Sequence, residues 1–251
     1  MTYKICQVVF STNRLEYLIP TLESQKNLNF YGCEVHKIFI DDYPKTRNNK
    51  LISELVKLYG YEEIYLHQAN QGLSLTWTEL WKLIKDRGYD YIFHQEDDVE
   101  ILEPVLMTDL IEILEQDPSI SQVQLARQAW YFDEKDPEPH DTDLIYKNFR
   151  YAKNSVLFSP MASLCPAKVV QVPYEKYIDF NLNEGIIGKI LYEEYNMFSA
   201  NVKNYYGKNI IRHIGDYFVG KRVLPGEPGY ENFGKYNPDV RYNSKDGSIY
   251  A

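Results

Sequence analysis

Tyr89-Asp90-Tyr91-Ile92-Phe93-His94-Gln95-Glu96-Asp97-Asp98-Val99 decides how the rest of the chain is read. An aromatic, apolar run stops at three adjacent carboxylates, and apolar residues resume at Val99 and Ile101. The length and the β-branched and aromatic content of the first half predict a buried strand. Like charges crowded at its C-terminal end repel one another and are costly unless solvent or a cation compensates them. In open α/β sheets, ligands bind just beyond the C-terminal ends of the strands. The acidic end is therefore a candidate site for a hard divalent cation held by oxygen ligands. The plainer alternative is an acidic turn on a solvated surface.

Upstream, Arg87-Gly88 closes a helix whose apolar stripe is Leu73, Trp77, Leu80, Trp81 and Ile84, with Thr76 and Glu79 at capping-box spacing. Both Trp residues are expected in the core. Ile5 to Phe10 is a first strand, apolar enough to be central in a parallel sheet. Ser11-Thr12-Asn13-Arg14 follows, with Asn13 as an N-cap and Leu15, Leu18, Ile19 and Leu22 on one helical face. Val35 to Ile40 is a second strand, ending in the turn Asp41-Asp42-Tyr43-Pro44. A helix through Leu51, Leu55 and Leu58 stops at Gly60, and a short strand, Glu63 to Leu66, leads to Asn70-Gln71-Gly72.

Downstream, Pro104 sits at a helix start, with Leu106, Leu110, Ile113 and Leu114 as the buried face, and Ile120 to Leu125 is another strand. The β-α pattern, repeated four times, predicts a doubly wound α/β sheet. The regularity fails after that. Arg127 to Lys153 is polar, Pro-containing and aromatic (Trp130, Tyr131, Phe132), which predicts a long excursion or small hairpin. Ser155 to Phe158 is expected as a strand and Ser159-Pro160-Met161-Ala162-Ser163 as a small-residue turn that a ligand can approach. Asp179 to Glu184 precedes a helix bearing Ile186, Ile187, Ile190 and Leu191; Phe198 to Val202 and Asn209 to Ile211 are closing strands, followed by Arg212-His213-Ile214-Gly215. From Pro225 onward no periodicity survives, as in a loop or lid.

Composition excludes several classes. The 251 residues are 44% hydrophobic and 25% charged, enough for a sizeable core. No run approaches the roughly 20 apolar residues of a membrane span, and the first residues lack the apolar segment of a signal peptide. Cys6, Cys33 and Cys165 have neither disulfide density nor metal-ligand spacing, and no Asn-x-Ser/Thr acceptor occurs. Both features fit a reducing, cytoplasmic setting. A net charge of −9 argues against non-specific nucleic-acid binding.

Taken together, the motifs resemble those of GT-A-fold glycosyltransferases, over roughly residues 4 to 222. The residues that carry the resemblance are Ser11-Thr12-Asn13-Arg14, Ile40-Asp41-Asp42, Asn70-Gln71-Gly72-Leu73, Glu96-Asp97-Asp98-Val99 and the late His213. The resemblance implies a Rossmann-like, doubly wound mixed sheet flanked by helices. It implies a nucleotide and metal half over 1–126, an acceptor half over 127–222, and a C-terminal loop or lid over 223–251. By that likeness Glu96-Asp97-Asp98 is a variant of the family's D-x-D motif, and Asp98 and His213 are ligands of Mn²⁺ or Mg²⁺. Glu96 and Asp97 then face ribose or donor sugar, and Arg212, Lys221 and Arg222 reach the diphosphate. Thr12, Arg14, Asp41, Asp42, Asn70 and Gly72 line the nucleotide pocket. A carboxylate reading a uracil N3–H favours uridine, although Asp-Asp-Tyr-Pro departs from the commoner Asp-Asp-Gly-Ser. For inverting transfer, Glu184 is the candidate general base and Asp179 the second choice.

The implied partners are a nucleotide-diphosphate sugar and a hydroxyl acceptor, whether glycan, protein, lipid-linked sugar or modified DNA. Two rivals stand beside this reading. A sugar-nucleotide nucleotidyltransferase usually carries a Gly-rich basic N-terminal loop, and Ser11 to Arg14 has no glycine. A non-catalytic nucleotide- or glycan-binding module has no need of both Asp98 and Glu184.

Overall fold

A computed structural model describes residues 2–12, 14–42, 49–69, 71–127, 144–154, 158–176, 184–204, 206–215, 241–242 and 249–250. Its elements run β1 (Tyr3–Ser11), α1 (Leu15–Ser24), β2 (Leu28–Asn29), β3 (Cys33–Asp41), α2 (Asn49–Leu58), β4 (Glu63–Leu66) and α3 (Leu73–Ile84). Next come β5 (Tyr91–Glu96), β6 (Val99–Ile101), β7 (Val105–Leu106), α4 (Met107–Gln116) and β8 (Ile120–Leu125). The second half adds β9 (Leu144–Tyr146), β10 (Phe149–Asn154), β11 (Ala162–Pro166), α5 (Ala167–Val170), α6 (Glu184–Tyr195), β12 (Phe198–Asn204) and β13 (Ile211–His213).

β1 lies inside the sheet because both of its faces are apolar. Cys6, Val8 and Phe10 pack with α3 and α6 residues on one side, while Ile5 and Val9 face the clusters that hold α1, α2 and α4 on the other. Helices therefore cover both faces, as the repeated β-α pattern predicts. Nine strands form one mixed sheet in the order β4-β3-β1-β5-β11-β8-β12-β10-β9. β4, β3, β1 and β5 are mutually parallel; β11 runs antiparallel between β5 and β8. Register aligns Ser11 with Asp41 and Phe10 with Glu96, so the polar ends of three strands share one edge.

Trp77 and Trp81 are core, as expected. They pack with Phe158 and His94, and Trp81 Nε1 donates to His94 Nε2 at 3.1 Å. Burial pushes the His94 imidazole down to about 3, so it is neutral and able to accept that bond. Trp77→Ala is expected to cost about 3–5 kcal/mol of stability, read by chemical denaturation. A loss under about 1 kcal/mol would show that the cluster does not carry the core.

Several sequence expectations are corrected. In α2 the buried residues are Ile52 and Val56, while Leu51 and Leu58 are exposed. Packing against Phe39 and Tyr61 rolls the helix one position from the leucine stripe. In α1, Ile19 faces outward and Thr21 and Ser24 are buried, because their hydroxyls find partners in the 97–101 segment. α3 begins at Leu73, itself exposed, so Thr76 is inside the helix and the Thr76–Glu79 capping box does not form. Pro104 precedes β7, which pairs with β2, and the helix starts only at Met107. The turn expected over Ser159 to Ser163 stops at Met161, because Ala162 and Ser163 already pair with β5 as the start of β11. Residues 155–157 lie outside the described residues, as does Asn13. The excursion does contain a hairpin, β9–β10.

Candidate active site

The acidic stretch is buried, not solvated. β5 ends at half-buried Glu96, a two-residue turn carries Asp97 and Asp98, and β6 follows. Asp97 is 1% and Asp98 4% exposed. β13 pairs antiparallel with β6, matching His213 to Val99 and Arg212 to Glu100. That pairing brings in a histidine more than a hundred residues away. One ligand atom each from Glu96, Asp98 and His213 lies within 4.8 Å of the others.

Alternation along β13 separates its two candidates. His213 Nε2 stands 3.4 Å from Asp98 Oδ1, whereas Arg212 Nε donates to Glu100 Oε2 at 2.9 Å. Arg212 is thus held by Glu100, outside the carboxylate cluster.

Arg14 spans the acidic turn, with one guanidinium nitrogen on Asp97 and another 3.0 Å from Asp98 Oδ2. Thr12 joins through its backbone, whose N–H donates to Asp97 Oδ2 at 2.9 Å. Burial, and then the charge of Asp98, push the Glu96 carboxyl above the ordinary range. Asp97 is also raised by burial, with Arg14 opposing. Glu184, the first residue of α6, adds to the charge acting on Glu96. Its own carboxyl is raised by burial, against a bond from Ser159 Oγ to Oε1 at 3.1 Å. Ser159 is fixed in turn by Gln122 of β8, which accepts its N–H at 3.0 Å.

The charge balance leaves room for a cation. Among the described residues, four carboxyl groups (Glu96, Asp97, Asp98, Glu184) are met by Arg14 and His213. Asp98 Oδ1 is buried and has no hydrogen-bond partner among the described residues. An orphaned buried acceptor costs about 1–3 kcal/mol, and more when charged. Gly215 keeps the space open: a Cβ there would lie 2.1 Å from Asp98 Oδ2. Two carboxylates and an imidazole suit Mn²⁺, so the residues present fit the ion that the sequence implies.

At the neighbouring strand end, Asp42 is bound to the loop before α3. Its carboxylate accepts from Gln71 N–H (2.9 Å), Gly72 N–H (2.6 Å) and His67 Nδ1 (2.9 Å). An anion there satisfies the N-terminus of α3 and complements its dipole. Gly72 is required because its φ is +85°. Asp41 is fully buried, and its carbonyl accepts the His67 N–H. Asn70, Asp179, Lys221 and Arg222 lie outside the described residues, as do Tyr43, Trp130 and Tyr131.

Thr12, Arg14, Glu96, Asp97, Asp98, Glu184 and His213 are therefore brought together, while Asp42 and Gly72 form an adjacent loop. Sequence reading missed Gly215 and Ser159 as working parts. Their signals were a small-residue turn open to a ligand for Ser159 and a place two residues after His213 for Gly215.

No protein-family model matches the chain, and no curated protein matches it in sequence. Solved structures do match. Staphylococcus aureus TarS 1–349 superposes with TM-score 0.55 at 13% identity, covering 86% of this chain and 62% of that one. The same TarS fragment in complex with UDP gives 0.57 at 12% identity, with the same coverage. GalNAc-T7 with UDP, GalNAc and Mn²⁺ gives 0.58 at 12%, over 85% of this chain and 44% of that one. The chain thus has the GT-A glycosyltransferase fold. It spans less than two thirds of the length of these structures. Among the described residues, no helix is long and apolar enough to cross a membrane.

Proposed function

We propose that the protein is a metal-dependent glycosyltransferase that moves a sugar, with inversion, from a UDP-sugar to a hydroxyl acceptor. The observation that carries this reading is the Glu96–Asp98–His213 cluster at the end of β5, in which Asp98 Oδ1 is buried and makes no hydrogen bond among the described residues. The fold supports it, since GalNAc-T7, solved with UDP, GalNAc and Mn²⁺, has the same architecture.

Asp98 and His213 would hold Mn²⁺ or Mg²⁺, with Glu96 beside them. The ion supplies Lewis-acid neutralisation of the charge that collects on a leaving diphosphate. Arg14 keeps Asp97 and Asp98 in register, and the Thr12 N–H holds Asp97 from the β1 side. Glu184, held by Ser159 in a buried setting, takes the proton of the acceptor hydroxyl. Asp179 is the alternative base, and Asn70, Lys221 and Arg222 complete the donor pocket. In this reading residues 1–126 form the nucleotide and metal half, 127–222 the acceptor half, and 223–251 a C-terminal loop or lid.

The test is calorimetric titration of UDP with Mn²⁺ and again with EDTA. Without metal the carboxylates repel the diphosphate, so UDP should bind at least about tenfold more weakly. Equal affinities would dismiss the metal assignment.

A further inference from the structure

We propose that Thr21 of α1 is a positioning residue for the metal-binding turn. The inference rests on the metal reading above. The ligand Asp98 lies in a short turn loaded with like charge and Glu96 just before it, so their geometry depends on how firmly the turn's backbone is held. Each of three successive carbonyls has its own donor. Thr21 Oγ1 donates to the Asp97 carbonyl at 2.8 Å, Ile214 N–H to that of Asp98 at 2.7 Å, and Gln95 Nε2 to that of Val99 at 2.9 Å.

Thr21 belongs to a polar comb on one side of α1 and the turn after it. Ser24 Oγ accepts the Ile101 N–H at 3.0 Å, and Asn27 Nδ2 donates to the Ile101 carbonyl at 2.7 Å. Gln25 Nε2 donates to Gln95 Oε1 at 2.9 Å, fixing the side chain that crosses the turn. Spacings of three to four residues put these groups on one helical face. Thr21 and Ser24 are buried, and that face meets the turn and β6 that follow Glu96. The comb acts on metal affinity through backbone geometry, without touching the ion.

Thr21→Val keeps the shape and removes the donor. The Asp97 carbonyl is then buried without its partner, and the turn relaxes away from the arrangement that brings Glu96, Asp98 and His213 together. The measurement is Mn²⁺ affinity of the full chain, by electron paramagnetic resonance of free Mn²⁺, with melting temperature recorded in parallel. Thr21→Val should weaken Mn²⁺ about tenfold or more, the scale of outer-shell changes at metal sites, and Thr21→Ser should restore it.

Ser121→Ala serves as the matched control. It removes a hydroxyl-to-carbonyl bond of 3.0 Å, to Phe198, at the opposite end of the sheet. It should lower the melting temperature and leave Mn²⁺ binding alone. Wild-type affinity in a folded Thr21→Val overturns the proposal, and so does an equal loss in Ser121→Ala. If Thr21→Val does not fold, Asn27→Ala carries the test: a weaker Mn²⁺ affinity supports the comb, an unchanged one overturns it. No Mn²⁺ binding by the wild type removes the metal reading itself, and this inference with it.

Discussion

Glu184→Gln is expected to lower kcat by about 10²–10⁴-fold, the usual contribution of a general base, with the melting temperature and UDP affinity nearly unchanged. The amide keeps the shape and still accepts the Ser159 hydroxyl bond, but cannot take a proton. Turnover is read as UDP release from a panel of UDP-sugars. The wild-type rate should also report the base's environment. Burial raises the Glu184 carboxyl, with Ser159 opposing. A base works deprotonated, so kcat should fall as pH drops through a value above the ordinary glutamate range, and Glu184→Gln should lose that limb. If Glu184 only complements the α6 dipole, the change costs about 0.3–1 kcal/mol of stability and spares turnover. A stable variant with near wild-type kcat would pass the role to Asp179.

Asp98→Asn should abolish Mn²⁺ binding under conditions where the wild type saturates, exceeding the 10–100-fold typical of outer-shell partners. It removes one negative charge from a crowded cluster, so the fold should survive. Gly215→Ala should do the same by a different route. Its Cβ would lie 2.1 Å from Asp98 Oδ2, and either that carboxylate or the Gly215 backbone must move. Gly207→Ala makes the comparison clean. Gly207 has φ of +77° and open space around the Cβ position, so alanine costs only the left-handed strain of about 1–2 kcal/mol. Calorimetry with Mn²⁺ separates the three variants. Gly215→Ala with wild-type affinity would show that the Asp98 position is not set by that close approach.

Much of the fold was legible because one-dimensional patterns report local structure. The apolar run at Ile5 to Phe10 and the aromatic run ending at Glu96 are strands buried on both faces, and such strands announce themselves by composition. The Glu96-Asp97-Asp98 stretch announced a site because carboxylates at a strand end are unusual enough to need a reason. Helix faces were read less well. The roll of α2 is decided by Phe39 and Tyr61, not by its own leucines, and Thr21 and Ser24 are buried because a distant turn and strand offer them partners.

The sequence by itself therefore determined the alternation of strands and helices and the acidic strand end that forms the candidate site. Tertiary structure alone decided which groups meet there. Pairing of β13 with β6 selects His213 for the cluster and turns Arg212 to Glu100. The fold also makes Asp42 an anchor for the α3 N-terminus and seats Glu184 on Ser159. The physical reason is the same in each case. Local propensity depends on neighbours within a few residues, whereas desolvated charges and hydrogen-bond donors are matched across the sheet, between segments whose separation in the chain carries no trace of the pairing.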